Sequence, residues 1–248
     1  MKSGIRCIEH EAFMNPLEPL VHSYISVSGS MAEILKYARK FEFNVVVKPL
    51  KGTGGYDVIH ATCEREIEAA AMHVWRKDYG VAVCPYVEIV SEIRVVVLRG
   101  DIKLMYRKKR ECIKGDGVSS VKQLVAKRIG ESTRPKTILR TVSGMSNDQL
   151  LYVPESSTEI PIEWRHNLGL GSTADIYCNA QVSSLALAAA QALNVKFCSV
   201  DVVEFVDGTF SVLEINSGVM MDSFISANSE NRTIAKEIYA EAISHALG

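Results

Sequence analysis

Neither sign of charge is in excess in this 248-residue chain: 28 Lys and Arg residues stand against 29 Asp and Glu, a net charge of −1. A general nucleic-acid binder carries a basic surplus for the phosphates it neutralises, so no nucleic-acid partner is expected. Long hydrophobic runs are missing too. A membrane helix needs about 20 apolar residues; the nearest approach, residues 182–193, is interrupted by Ser183, Ser184 and Gln191. No membrane partner is expected either. Met1-Lys2-Ser3-Gly4-Ile5-Arg6 lacks the apolar core of a signal peptide. The six cysteines, Cys7, Cys63, Cys84, Cys112, Cys178 and Cys198, form no Cys-x-x-Cys pair and no zinc-type spacing with histidine. They read as small hydrophobes in a reducing compartment, and a cytoplasmic location is expected. Repeats, low-complexity tracts and any convincing Ser-His-Asp or Cys-His arrangement are also lacking.

What is there is a mixed pattern of helices and strands. With 47% hydrophobic and 23% charged residues the chain has the composition of a globular protein. At roughly 100–200 residues per domain, its length makes one large domain or two small ones. Ser30-Met31-Ala32-Glu33 has the form of a capping box and predicts a helix through about Arg39. Strands are predicted over 43–48, 57–61, 81–87, 92–99 and 102–109, with a helix over 64–79. Residues 111–163 change character: Gly115-Asp116-Gly117 opens a polar excursion holding one clear helix, 121–129, capped by Ser120 and Gln123. The stretch 130–160 reads as mostly loop. Beyond it come an apolar helix over 175–193, a hairpin of 197–205 and 209–215 around Asp207-Gly208, a loop over 216–228, and a terminal helix over 231–247.

Four constellations carry chemistry. In Val46-Val47-Lys48-Pro49-Leu50-Lys51-Gly52-Thr53-Gly54-Gly55 a lysine leaves a buried strand and meets a glycine-rich turn. Glycines admit close approach of an anion to backbone N–H groups, and Lys48 adds a point charge. Taken alone, the segment also reads as a glycine hairpin beside a surface lysine. Asp201 and Glu214-x-Asn216 sit where hairpin strands bring them together, and two carboxylates with an amide oxygen form a hard donor set suited to magnesium. Ordinary sheet-edge polar residues would look similar, but Glu214 lies in an apolar strand where an unpaired carboxylate is costly. Pro85-Tyr86-Val87 followed by Glu92-Ile93-Arg94 can hold a purine edge and ribose hydroxyls, or be a strand with polar ends. Finally, Trp164-Arg165-His166-Asn167-Leu168-Gly169 places a fixed cation, Arg165, able to grip a carboxylate or phosphoryl group. Alternation points His166 away from Arg165 and Asn167.

The order of these pieces resembles the ATP-grasp superfamily over roughly residues 32–247. The Ile113-Lys114-Gly115-Asp116-Gly117-Val118 insertion before Arg165-His166-Asn167 looks like the cyanophycin synthetase and bifunctional glutathione synthetase branch. The resemblance implies an α+β fold in which two subdomains grip ATP between antiparallel sheets. The lid would fall in 1–87 and the C-terminal subdomain in 88–248, with the insertion at 111–163 and the usual N-terminal domain absent. It implies that Lys48 and the flap Gly52, Thr53, Gly54 and Gly55 touch phosphates. Pro85, Tyr86 and Val87 would bind adenine, Glu92 the ribose, and Lys108 (or Arg107, with strand parity shifted) a phosphate. Asp201, Glu214 and Asn216 would hold Mg2+ or Mn2+. Arg165 and Asn167 would stabilise the transferred phosphoryl group, and Arg94, Arg165 and Ser217 would meet the substrate. Where relatives have a Pro-Gly pair after the asparagine, this chain has Ser217-Gly218-Val219-Met220-Met221, so the resemblance does not carry acceptor identity.

The activity implied is an ADP-forming ligation of an amino-acid or peptide carboxylate to an amine through an acyl phosphate. The alternative is a nucleotide-binding accessory subunit without ligase activity. The expected partner, besides small substrates, is a second copy or another chain completing the pocket.

Overall fold

The computed structural model describes residues 4–16, 29–52, 54–131, 138–139 and 145–247. Two compact units form: Arg6–Glu88, and Ile89–Gly248 with the residues before Arg6.

In the smaller unit four antiparallel strands are ordered β1 (Glu11–Met14), β4 (Gly80–Pro85), β2 (Val45–Pro49), β3 (Ile59–Ala61). Helices α1 (Met31–Arg39) and α2 (Glu64–Trp75) supply Ile34, Ile67, Ala71 and Val74, which pack with Val45, Val47, Val81 and Val83 of the sheet. Ser30 starts α1 by accepting the Glu33 N–H at 3.3 Å, as the capping pattern predicts. Because side chains alternate along a strand, Val46, Lys48, Ala82, Cys84 and His60 take the face opposite that core. The helix predicted to reach residue 79 stops at Trp75, and the strand predicted from 57 begins at Ile59. Strand β1, four residues long, had no sequence signal strong enough to call it.

The larger unit is built on a five-stranded antiparallel sheet. Its order is β11 (Phe210–Asn216), β10 (Phe197–Phe205), β5 (Ile89–Leu98), β6 (Asp101–Lys109), β9 (Thr173–Ile176). Helix α5 (Ala180–Ala192) lays Val182, Ala186 and Ala189 on one face, against Ile93, Val95, Val97, Val200 and Val202. Helices α6 (Asp222–Ile225) and α7 (Ser229–Leu247) cover part of the other face, where Phe224, Ala235 and Ile238 meet Val96, Leu104 and Tyr106. The Phe224 and Tyr106 rings stack with centroids 4.9 Å apart. Cover on both faces explains why β5 and β10 read as nearly continuous apolar runs.

Three expectations need correction here. The helix predicted over 175–193 begins at Ala180: Asn179 Oδ1 accepts the N–H groups of Gln181 and Val182, and residues 173–176 are instead the edge strand β9, paired with β6. The excursion is more ordered than predicted. Helix α3 (Val121–Glu131), helix α4 (Asn147–Leu151) and the pair β7 (Cys112–Lys114) and β8 (Glu159–Pro161) enclose a small core of Ile113, Val121, Val125, Ile138 and Ile162. Ser146 and Gln149 form a complete capping box at α4, and a short helix, α6, interrupts the loop predicted over 216–228. Residues 132–137 and 140–144 of the predicted loop lie outside the described residues.

Candidate functional site

Only half of one sheet face in the larger unit is apolar. Strand β5 alternates Glu92, Arg94 and Val96 on the face covered by α6 and α7, and register extends that row across the sheet. Arg94 lies opposite Asp201 and Tyr106, Glu92 opposite Lys108, and Asp201 opposite Glu214. Towards Val96 the face is core; towards Glu92 it is ionic. A break in register after Asp201 lets Glu214 and Asn216 share the face.

The ionic half is a closed network. Arg94 donates from Nε to Asp201 Oδ1 at 2.9 Å and from Nη2 to Asp201 Oδ2 at 2.6 Å. Lys108 Nζ donates to the same Oδ1 at 3.1 Å and also to Glu92. Asp201 is 1% exposed and Lys108 5%, so charges left unpaired here would be expensive. Burial pushes the Asp201 carboxyl up, but Lys108 and Arg94 outweigh it and hold the group well below the usual carboxylate range. Burial dominates for Glu92, whose carboxyl is raised despite Lys108. Burial works against the Lys108 cation, yet Asp201 and Glu92 raise it. Beside this network Asn216 Nδ2 donates to Glu214 Oε1 at 3.0 Å, with Glu214 exposed. Ser217 follows, also exposed.

The donor set can be tested against a divalent cation. Glu214 and Asn216 present accessible oxygens of the right hardness. Asp201 belongs to the same patch, but both its oxygens accept from cations and one of those bonds would have to yield. Among the described residues no three His, Cys, Asp or Glu side chains are grouped for a metal; the amide of Asn216 is what completes this set.

The Arg165 segment runs beside β6. His166 is buried and its Nδ1 donates to the Lys108 carbonyl at 3.0 Å. Burial lowers its imidazole pKa. Arg165 is gripped by Glu163, from Nε at 2.7 Å, from Nη2 at 2.9 Å and through its own N–H at 3.0 Å. Glu163, 2% exposed, was not singled out in the sequence; a carboxylate two residues before a candidate arginine was the available signal. Asn167 caps the short 3-10 turn Leu168–Leu170, its Oδ1 accepting the Gly169 N–H at 2.8 Å. Arg107 takes the opposite face from Lys108 and pairs with Glu204 at 3.0 Å, so of the two it is Lys108 that shares a face with Glu92 and Asp201.

In the smaller unit Lys48 leaves β2 on the face away from the helices. Gly54 and Gly55 in the following turn have φ of 68° and 69°, conformations that suit glycine. Thr53 lies outside the described residues. Pro85 ends β4; the Tyr86 N–H is donated to the Asn44 carbonyl at 3.0 Å, and the Tyr86 ring stacks on His60 at 3.8 Å. Val87 follows directly.

No protein-family model and no curated protein matches the chain. Among solved structures, D-alanine–D-alanine ligase from Bacillus anthracis is similar at a TM-score of 0.54 and 14% identity, covering 97% of this chain and 63% of that one. A bifunctional glutathione synthetase from Pasteurella multocida matches at 0.47 and 17% identity, over 97% of this chain and 35% of that one. The ATP-grasp ligase PsnB, in complex with a minimal precursor, matches at 0.47 and 12% identity, over 90% of this chain and 50% of that one. The chain thus spans between about a third and a half of the length of the last two relatives. At these identities the likeness speaks for architecture alone: the chain has the ATP-grasp fold.

Proposed function

We propose that the chain is the nucleotide-handling part of an ADP-forming carboxylate–amine ligase acting on an amino acid or peptide. The observation that carries this reading is the single sheet face on which Glu92, Arg94, Lys108, Asp201, Glu214 and Asn216 gather. A carboxylate is a poor acyl donor. Transfer of the γ-phosphoryl group makes it an acyl phosphate and releases ADP; an amine then attacks the carbonyl, and phosphate departs as the amide forms. The enzyme's task is to position the reactants and offset charge.

In this reading Lys48 and the N–H groups of Gly52, Thr53, Gly54 and Gly55 contact phosphates, and Lys108 contributes a second cation. Adenine hydrogen bonds come from the Pro85–Val87 backbone, with Val87 as the N–H donor because the Tyr86 N–H is already engaged. Glu92 serves the ribose, although its present partner is Lys108. Glu214 and Asn216, joined by Asp201, hold magnesium, which when bound neutralises the phosphate oxygens. Glu163 fixes the Arg165 guanidinium, which offsets charge on the transferred group, and Asn167 adds a donor nearby. Arg94 and Ser217 are the remaining substrate contacts.

The test is ADP release by the purified chain with ATP and magnesium across a screen of amino acids and peptides. Release that needs both a carboxylate and an amine, and that Glu214→Gln removes while binding of a nonhydrolysable ATP analogue persists, supports the reading. Release indifferent to both substrates across the screen sinks it.

A further inference from the structure

We infer that Asp57 and Asp78 are positioning residues: they fasten the two ends of the glycine turn to the last turn of α2 and the segment that follows it, and so fix where that turn presents its N–H groups. This rests on the reading of the turn as a phosphate contact.

Gly52 and Gly54 are exposed and Tyr56 is 57% exposed, and beside them a half-open pocket of about 200 Å3 is lined by Pro49, Gly52, Tyr56, Asp57, Lys77 and Asp78. Side-chain tethers at the two ends of an exposed turn restrict its opening. At the leading end the Lys51 N–H donates to Asp78 Oδ2 at 3.2 Å, and Lys51 Nζ lies over the Tyr79 ring, 4.8 Å from its centre. At the trailing end Asp57 adopts φ 57°, a left-handed conformation that Asp and Asn tolerate better than most residues. It turns its carboxylate onto the last turn of α2 and the turn that follows, where His73 Nε2 stands 2.8 Å from Oδ1 and Lys77 Nζ 3.2 Å from both oxygens. His73 and Lys77 lie one helical turn apart, 3.1 Å between Nε2 and Nζ, so they form a two-pronged seat for one carboxylate. The hydrogen bond from His73, with Lys77, keeps the Asp57 carboxyl below its ordinary range, consistent with a carboxylate that stays charged in its seat. None of these four side chains belongs to the nucleotide contacts named above. Their effect would be to prepay the ordering of the turn, which otherwise comes out of nucleotide affinity.

The experiment compares the full chain with Asp57→Asn, Lys77→Gln and Asp78→Ala. Asn at position 57 keeps the left-handed backbone and removes only the charge. Two quantities are read: amide hydrogen exchange across residues 50–58 without nucleotide, and affinity for a nonhydrolysable ATP analogue with magnesium by calorimetry. Exchange in the turn should rise severalfold in each variant, affinity should fall about fivefold, and the unliganded melting temperature should stay within about 2 °C because the pairs are exposed. Unchanged exchange in Asp57→Asn overturns the inference, whatever the affinity. Wild-type binding that the variants match also overturns it while leaving the functional reading standing. Absence of nucleotide binding by the wild type sinks the functional reading, and the positioning role falls with it.

Discussion

The two ionic clusters use the same kinds of groups and differ in where they stand. In the larger unit Asp201 and Glu92 meet Arg94 and Lys108 in largely buried side chains on one sheet face, two charges of each sign. In the smaller unit Asp57 meets His73 and Lys77 in side chains 27%, 46% and 56% exposed. The first cluster is reached by strand register and cannot relax into water when one member is lost; the second joins a turn to the end of α2 and the residues after it, and can. Burial, not the number of hydrogen bonds, therefore decides which cluster the fold depends on.

The comparison is sharpened most by Lys108→Met. It strips Asp201 and Glu92 of a shared cation in a closed site, and we expect a loss of about 3–5 kcal/mol in urea unfolding. A loss below about 1 kcal/mol, the range of exposed pairs, would erase the distinction. Next, Arg94→Met and Asp201→Leu should each be costly alone, while the double variant should cost at least about 1 kcal/mol less than their sum, since it leaves neither half of the pair stranded. Additive losses would mean that the two residues act separately. Asp57→Asn should cost only about 0.2–1 kcal/mol of global stability, and 1 M salt should erase most of that difference.

The smallest effect belongs to the insertion, where Asp116 accepts the N–H groups of Ser119 and Val118 at 2.6 and 2.9 Å. These bonds hold its carboxyl at about 2. The folded value lies below the unfolded one of about 3.9, so the contribution is present above that unfolded value and fades as pH falls through about 2. An NMR titration of Asp116 with a midpoint near 4 would show that the turn is not formed in solution.

Local signals carried much of the fold. The Ser30 cap, the Asp207-Gly208 hairpin and the apolar runs of β5 and β10 are each written in a few adjacent residues. The structure departs from those signals where two of them compete locally or where the cause is distant. Asn179 caps α5, yet residues 175–178 before it also continue the helical pattern; Ser146 and Gln149 spell a capping box within a polar stretch whose composition otherwise reads as loop. Strand β9 exists because β6 offers an edge to pair with, which no window of sequence reveals. The site divides in the same way. Glu92, Lys108, Asp201, Glu214 and Asn216 were legible as residue types in order, but their mutual pairing depends on register across four strands. In the sequence His73 reads as a scattered histidine because its partner, Asp57, lies 16 residues away at the end of the glycine turn.

Strand β9 has a consequence of its own. Among the described residues it ends the five-stranded sheet with a row of backbone groups facing outward, and Ile176 there is 61% exposed. Such a border invites another chain to add a strand. Here it is only four residues long, and Asp175 forms an ion pair with Lys109 beside it. Brevity and charge together discourage runaway self-association, so neutralising Asp175 should show first as lost solubility on concentration rather than as lost stability.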